Sequence, residues 1–329
     1  MTLLFDKIEI GEQTSLVPDC APAGTEDARP KSRVLEIGLV NNMSDAALRA
    51  TERQFQRLLK GGAGEQPVRL HCFALPSVPR AAATRQRLAS LYTDVAELNQ
   101  LRLDGLIVTG AEPRAASLQH EPYWDEMRAL IDWAAANTRS TIWSCLAAHA
   151  AVLHLDGIER QRLQRKCSGV YACQQRGDDA LLADLPAQAR VPHSRLNDLP
   201  ADKLSAAGYT VLTHARGAGV DIFARQDRSR FVFFQGHPEY DPVSLQREYL
   251  RDIGRFLAGE RENYPDIPVD YFDAATERGL LAFRAEAEAG RDPAQIAKLP
   301  PLAMREDIPT AIEATAKTLF SNWLTSLAQ

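Results

Sequence analysis

Thr141-Ile142-Trp143-Ser144-Cys145-Leu146-Ala147-Ala148-His149-Ala150-Ala151-Val152-Leu153-His154-Leu155 is the stretch that decides the fold. Thr141, Ile142 and Trp143 favour a strand. From Leu146 the run is apolar and rich in the helix formers Ala and Leu. A short strand that feeds straight into a helix is half of a β/α unit. Cys145 stands at the junction. A sharp strand-to-helix turn raises its side chain at the carboxyl edge of a sheet. The N-terminus of a helix also favours the thiolate, the reactive form of cysteine. Ser144, Ala147 and Ala148 are small and leave room for a substrate. The N–H that follows the cysteine is a candidate oxyanion donor.

The same alternation continues on both sides. Residues 34–40, 68–75 and 104–109 read as strands, the last with the continuous apolar run Leu106-Ile107-Val108. A helix is expected over about 46–59, where Leu48, Phe55, Leu58 and Leu59 recur at helical spacing. Pro122 opens another, with Met127, Leu130, Ile131 and Ala134 on one face. Further on, 209–213, 220–224 and 231–235 are strand-like, and 245–258 is helical with Leu250, Ile253 and Leu257 aligned. Uninterrupted apolar strands between helices indicate an α/β domain with a mostly parallel central sheet flanked by helices. Ligands bind such sheets beyond the carboxyl ends of the strands.

Residues 33–262 form this domain. Residues 1–32, rich in Pro, Ala, Thr and charge, are an irregular lead-in. Residues 263–329 are a C-terminal extension packed on the domain, with Tyr264-Pro265, Pro268, a charged helical stretch at 282–289 and Pro300-Pro301. A chain of 329 residues is ample for a buried core. Its formal net charge of −5 gives no nucleic-acid footprint. No apolar run approaches the length of a membrane span, and the first residues lack the pattern of a signal peptide. The five cysteines are odd in number, irregularly spaced and without a Cys-x-x-Cys pair. They read as free thiols in a reducing cytoplasm, with neither a disulfide framework nor a structural zinc site. Cys72 falls inside a strand, Cys20 in the lead-in, and Cys167 and Cys173 carry no activating neighbours. No histidine spacing suggests a metal.

A base for Cys145 is found in Gly236-His237-Pro238-Glu239-Tyr240, at the end of another strand. Side chains two apart in extended backbone project to the same side. A carboxylate beside an imidazole fixes its tautomer and stabilises the imidazolium. His149, one helical turn beyond Cys145, competes for the role and is read as a residue packed under the turn.

At this point the chain resembles the homoserine O-succinyltransferase family, whose fold is similar to that of the class I glutamine amidotransferases. The matching pieces run in order: Thr51-Glu52, Gln54-Phe55, Arg57-Leu58-Leu59, 104–111, Tyr123-Trp124, Cys145, Lys166 with Ser168-Gly169-Val170-Tyr171, Pro192-His193-Ser194-Arg195, 236–241, Arg251-Asp252 and Asn322-Trp323-Leu324. The resemblance implies ping-pong acyl transfer. Cys145 takes the acyl group from acyl-coenzyme A, succinyl favoured over acetyl, and the γ-hydroxyl of homoserine, deprotonated by His237, collects it while Glu239 orients the imidazole. It implies that Lys166, Ser194, Arg195 and Arg251 bind substrate, that acyl-coenzyme A is a co-substrate with no resident cofactor or metal, that the partners are small molecules with neither nucleic acid nor membrane, that the chain is a homodimer, and that the pathway is methionine biosynthesis. Arg160, Arg162 and Arg165, which share a basic run with Lys166, are read as solvated charges on a helix or loop.

Three departures from the family pattern stand out. The family's Met-Pro-Lys-Lys segment after the first strand is replaced by Met43-Ser44-Asp45-Ala46-Ala47-Leu48-Arg49, without its lysine. The acyl-selecting segment reads Ala111-Glu112-Pro113-Arg114, which makes Glu112 and Arg114 the selectivity candidates. The tail between Phe272 and Asn322 is long. Acylation of a related amino acid such as serine, glutamine hydrolysis by the same three residues, and a non-catalytic binding role are the competing functions.

Overall fold

Buried on both faces and joined by helices, the apolar strand runs pair side by side. The computed structural model describes residues 3–5 and 33–329. The expected lead-in at 1–32, with Cys20, lies outside the described residues except for β1 (Leu3–Phe5). After it come β2 (Leu35–Val40), α1 (Leu48–Gly62), β3 (Val68–Phe73), α2 (Ala82–Leu91), β4 (Gly105–Val108), α3 (Trp124–Asn137), β5 (Ser140–Ser144) and α4 (Leu146–Asp156). The second half holds β6 (Gln161–Gln175), β7 (Arg190–Asp198), α5 (Ala201–Ala206), β8 (Thr210–Val211), β9 (Thr213–Ala215), β10 (Gly219–Val220), β11 (Ile222–Gln226) and β12 (Arg230–Phe234). The helices α6 (Ser244–Leu257), α7 (Ala274–Gly290) and α8 (Ile308–Ala328) close the chain.

The central sheet has the order β1-β3-β2-β4-β5-β12-β11-β8. From β1 to β12 each strand runs parallel to its neighbours, and β11 and β8 add antiparallel pairs at one edge. A smaller antiparallel sheet has the order β10-β9-β6-β7. The basic run that ends in Lys166 therefore lies on a strand and its approach, not on a helix or loop. The expected strands at 209–213 and 220–224 each split in two. Around Leu212 and again at Asp221 the chain passes between sheets, so β8 and β11 serve the central sheet while β9 and β10 serve the small one. Both transitions lie inside apolar runs, and hydrophobic periodicity does not mark a change of sheet.

The tail packs on the domain and also completes its core. Phe320, Trp323, Leu324 and Leu327 of α8 share one apolar cluster with Leu35, Ile37 and Phe55. Trp323 Nε1 donates to Ser140 Oγ at 3.0 Å. Gly105 is required beneath it, since a Cβ there would lie 2.6 Å from Leu327 Cδ1 and 2.8 Å from the Trp323 ring.

The topology positions the site by register. Phe234 at the end of β12 is paired with Ser144 at the end of β5. The residues that follow these two strands emerge side by side at the same edge, and the N–H of Cys145 donates to Phe234 O at 2.7 Å. On its other side β5 pairs with β4, which delivers Thr109 and Gly110 to that edge.

Candidate active site

Cys145 caps α4 with φ 52° and ψ −113°, in the left-handed half of backbone space. A non-glycine residue there costs about 1–3 kcal/mol and persists only where its surroundings hold it. Here the bond to Phe234 O below and the start of α4 above hold it, so the side chain stands clear at the sheet edge. Leu146, the first helical residue, has no intrahelical acceptor for its N–H. Gly110 packs directly against it. A Cβ on Gly110 would lie 2.5 Å from Leu146 Cβ and 3.0 Å from Leu146 N. Only glycine lets the end of β4 approach the N–H beside Cys145 so closely.

His237 is buried, and its Nδ1 lies 2.8 Å from Glu239 Oε1. Nδ1–H therefore donates to the carboxylate, which leaves Nε2 as the free ring nitrogen, and the Cys145 charge is among those that act on the ring. Ser144 Oγ donates to the same Glu239 oxygen at 3.3 Å. Burial disfavours an imidazolium at His237, but the adjacent Cys145 and Glu239 charges and hydrogen bonds outweigh it and raise its pKa well above the usual histidine range. The backbone is fixed as well: His237 N donates to Pro192 O at 2.7 Å. Gly236 fits against Val191, Asp221 and His193, each of which a Cβ would approach within 3 Å. Cys145, His237 and Glu239 thus lie together at the ends of β5 and β12. His149 is not among the partners that the structure gives His237 and Glu239. It is buried under the turn, bonds Gln235 Oε1 at 3.1 Å, and burial pushes its pKa down to about 3.

Beside the imidazole is a second cluster that the sequence only partly indicates. Tyr240 stacks on His237 with ring centroids 4.2 Å apart, and its hydroxyl donates to Glu248 Oε1 at 2.6 Å. The other Glu248 oxygen accepts from Ser194 Oγ and lies 3.5 Å from Lys166 Nζ. Burial alone would raise the Glu248 pKa, but Lys166 and the Ser194 and Tyr240 hydroxyls lower it, so the carboxylate stays ionised. Lys166 also pairs with Asp252 at 3.1 Å, and so does Arg251. Glu248, Arg251 and Asp252 stand at i, i+3 and i+4 of α6, one helical face, which is the signal in the sequence that could have revealed Glu248.

Other expected site residues are placed differently. Ser194 is in this cluster, but Arg195, its neighbour on β7, points the opposite way. It is buried, and its guanidinium donates to Asn197 O, Asp198 Oδ1 and Ala218 O. Glu112 and Arg114 are both exposed. They line a cleft of about 380 Å³ with Ser44, Asp45, Arg80, Arg251 and Arg255, where Glu112 lies 3.9 Å from Arg255. The segment carrying them is held by Glu121, whose Oε1 accepts the N–H groups of Arg114 and Ala115, both at 2.7 Å. Within the basic run Arg162 and Arg165 are exposed as expected. Arg160 is instead half-buried, with Nη1 enclosed. Among the described residues no His, Cys, Asp or Glu group could hold a metal ion, and no helix is long and apolar enough to cross a membrane.

Residues 19–329 match the family model described as homoserine O-succinyltransferase. A homoserine O-succinyltransferase of Rhodopseudomonas palustris is 71% identical over 330 residues, covering 100% of this chain and 99% of that protein. One from Bradyrhizobium japonicum is 53% identical over 329 residues, again covering 100% and 99%. Among solved structures, a glutamine amidotransferase from Methylobacillus flagellatus is similar with a TM-score of 0.49 and 15% identity, covering 89% of this chain and 94% of that one.

Proposed function

Since the chain belongs to the homoserine O-succinyltransferase family of acyltransferases, we propose that it moves a succinyl group from succinyl-coenzyme A to the hydroxyl of L-homoserine through a thioester on Cys145. The observation that supports the mechanism is the register of β5 and β12, which brings Cys145 out at the same sheet edge as His237, whose Nδ1 lies 2.8 Å from Glu239.

Burial is outweighed by the Cys145 and Glu239 charges and hydrogen bonds, which raise the proton affinity of His237, so the imidazole takes the Cys145 proton and forms an ion pair with the sulfur. The sulfur attacks the thioester carbonyl, and the oxyanion that forms is met by the Leu146 N–H at the head of α4. Collapse breaks the bond to coenzyme A, whose departing sulfur takes the His237 proton. The neutral imidazole then accepts the proton of the homoserine hydroxyl as its oxygen attacks acyl-Cys145. Expulsion of the cysteine thiolate restores the ion pair. The sulfur, the imidazole and the backbone donor balance every proton, so the reaction needs no resident cofactor or metal.

Homoserine enters as a zwitterion. The cluster next to His237 offers both signs of charge: Glu248 for the ammonium group, Lys166 and Arg251 for the carboxylate, and Ser194 between them. Arg251 is half-exposed and can give a second edge of its guanidinium to a carboxylate while Asp252 holds the first. The cleft lined by Glu112, Arg114 and Arg255 leads to this cluster and is the route for acyl-coenzyme A. A cytoplasmic homodimer is part of the same reading, and light scattering of the purified protein tests the dimer.

Intact mass spectrometry decides the main point. Mixing with succinyl-coenzyme A without acceptor adds one succinyl mass to the wild type and none to Cys145→Ala, and homoserine then discharges it. No adduct with either succinyl- or acetyl-coenzyme A refutes the reading, and ammonia release from glutamine would replace it with hydrolysis.

A further inference from the structure

Where the two sheets meet under the turn that carries His237, a histidine and a carboxylate are sealed from solvent. His193 on β7 and Asp221, at the crossing between β10 and β11, are both fully buried, and His193 Nε2 lies 3.3 Å from Asp221 Oδ1. Neither atom has any other hydrogen-bond partner among the described residues. The remaining polar atoms of the pair are taken. His193 Nδ1 accepts from Arg195 Nε at 3.4 Å, so the neutral ring carries its hydrogen on Nε2, facing the carboxylate. Asp221 Oδ2 accepts from Thr213 Oγ1 at 2.9 Å and from Cys173 Sγ at 3.1 Å.

The His237 turn rests on this pair. Gly236 joins β12 to His237, and a Cβ there would lie 2.7 Å from Asp221 Oδ1 and 2.9 Å from His193 Nε2, the same two atoms. The residues on either side of Gly236 are tied to the same two segments. Gln235 N donates to Asp221 O at 2.8 Å, and His237 N donates to Pro192 O, next to His193, at 2.7 Å. Three consecutive residues, 235 to 237, are therefore fixed against Asp221 and the 192–193 segment. Burial pushes the His193 pKa down and keeps the ring neutral. Burial alone would raise the Asp221 pKa, but the interactions with His193, Cys173 and Thr213 outweigh it and keep the carboxylate ionised. A buried charge is costly even when bonded, and apolar residues of similar volume often serve stability as well. What apolar residues lack is direction, and the chemistry at Cys145 needs a base held in one place.

We propose that His193 and Asp221 are positioning residues for His237: the pair closes against Gly236 and sets where the imidazole stands relative to Cys145. The tie reaches the acceptor side as well. Ser194 projects from the opposite side of β7 and donates to Glu248, so one strand carries both the support of the base and a ligand assigned to homoserine. The assignment rests on the acyl-Cys145 reading above and deepens it.

The test compares the wild type with His193→Leu, His193→Gln and Asp221→Asn in the burst of coenzyme A from succinyl-coenzyme A and in iodoacetamide alkylation mapped to the Cys145 peptide. A base misplaced by about 1 Å costs about 10²-fold in rate, so His193→Leu lowers the burst rate constant roughly 100-fold at an unchanged KM for succinyl-coenzyme A. Asp221→Asn, which keeps the shape and removes the charge, lowers it about tenfold. His193→Gln, whose amide can donate to Asp221 from the place of Nε2, returns it to within about tenfold of the wild type. A merely structural role would lower the urea midpoint and the burst amplitude and leave the rate constant of the folded molecules alone. An unchanged rate constant in His193→Leu, or His193→Gln as slow as His193→Leu, overturns the assignment. Should His193→Leu not fold, the rate constant in Asp221→Asn decides alone. Absence of any acyl adduct on wild-type Cys145 is the separate failure of the parent reading. Alkylation then carries the test, slowed in His193→Leu if the pair positions His237 and equal to the wild type if it does not.

Discussion

Glu239→Gln removes one negative charge and little volume from the centre of the site. The Glu239 oxygen lies 2.8 Å from His237 Nδ1, and both residues are buried. A hydrogen bond to a charged group contributes about 1.5–3 kcal/mol. At 1.36 kcal/mol per pKa unit, losing the anion lowers the His237 pKa by about 1–2 units. The sign follows from the mechanism. The imidazolium must carry the proton that leaves with coenzyme A, so activity is lost as pH rises through the His237 value. Lowering that value moves the alkaline limb of the rate profile to lower pH by the same amount. The limb belongs to the coupled sulfur–imidazole pair and is followed as one macroscopic titration. The assay is the pre-steady-state burst of coenzyme A thiol, with no acceptor present, measured across pH for both proteins. The burst rate at the optimum also falls, by about 10²–10⁴-fold, because the ring loses the group that fixes its tautomer. An alkaline limb that does not move in Glu239→Gln refutes the argument, even if the rate drops, since His237 would then owe its raised pKa to something other than this carboxylate.

Gly110→Ala forces a methyl group to 2.5 Å from Leu146 Cβ and displaces the oxyanion donor. Succinyl transfer should fall about 10²–10³-fold while iodoacetamide still alkylates Cys145, and equal loss of both would point to a collapsed site. Glu248→Gln should raise KM for homoserine roughly tenfold or more and leave the acylation burst nearly unchanged; a slower burst with an unchanged KM counts against an acceptor-binding role. His149→Asn should lower the denaturation midpoint through lost packing and leave both limbs of the pH profile in place, because His149 is neutral throughout the working range. Trp323→Ala should destabilise the fold by about 3–5 kcal/mol, read from urea unfolding, since its ring fills the space over Gly105; a change within error would mean that α8 is only an appendage.

Elements whose apolar pattern matches their burial were legible in the sequence. β2 to β5, α1, α3, α4 and α6 fall within two or three residues of expectation, because strands covered on both faces read as continuous apolar runs. The Cys145 turn and the His237–Glu239 pair were legible because each sits at the end of such a run. What was hidden depends on pairing. The split at Leu212 and Asp221 is set by which sheet each piece joins. The commitment of Arg195 to internal acceptors follows from the side of β7 it projects from, and Ser194, one residue earlier, faces the site. Arg160 was obscured by its own neighbours. In a basic run each charge looks alike, and only the tertiary packing encloses one and exposes the next.

The segment after β2, where the family resemblance leads one to expect a lysine, is held in place by its neighbours. Arg80, which follows β3, is almost fully buried. Its guanidinium donates to Met43 O at 2.7 Å and to Asn41 O at 3.0 Å, and lies 3.7 Å from Asp45. Asp45 in turn accepts the N–H of Ala81 at 2.8 Å. The segment is therefore stapled to the start of α2 and forms a fixed wall of the cleft. Arg80 does not replace the lysine as a substrate ligand, because its hydrogen bonds point into the protein. Arg49 does not either, since it lies exposed on α1. Positive charge for two anionic substrates must come from elsewhere around the nucleophile. Within the cluster beside His237 that charge is carried by Lys166 and Arg251, each held by Asp252 at 3.1 Å, and in the proposed function the amino-acid carboxylate goes to these two.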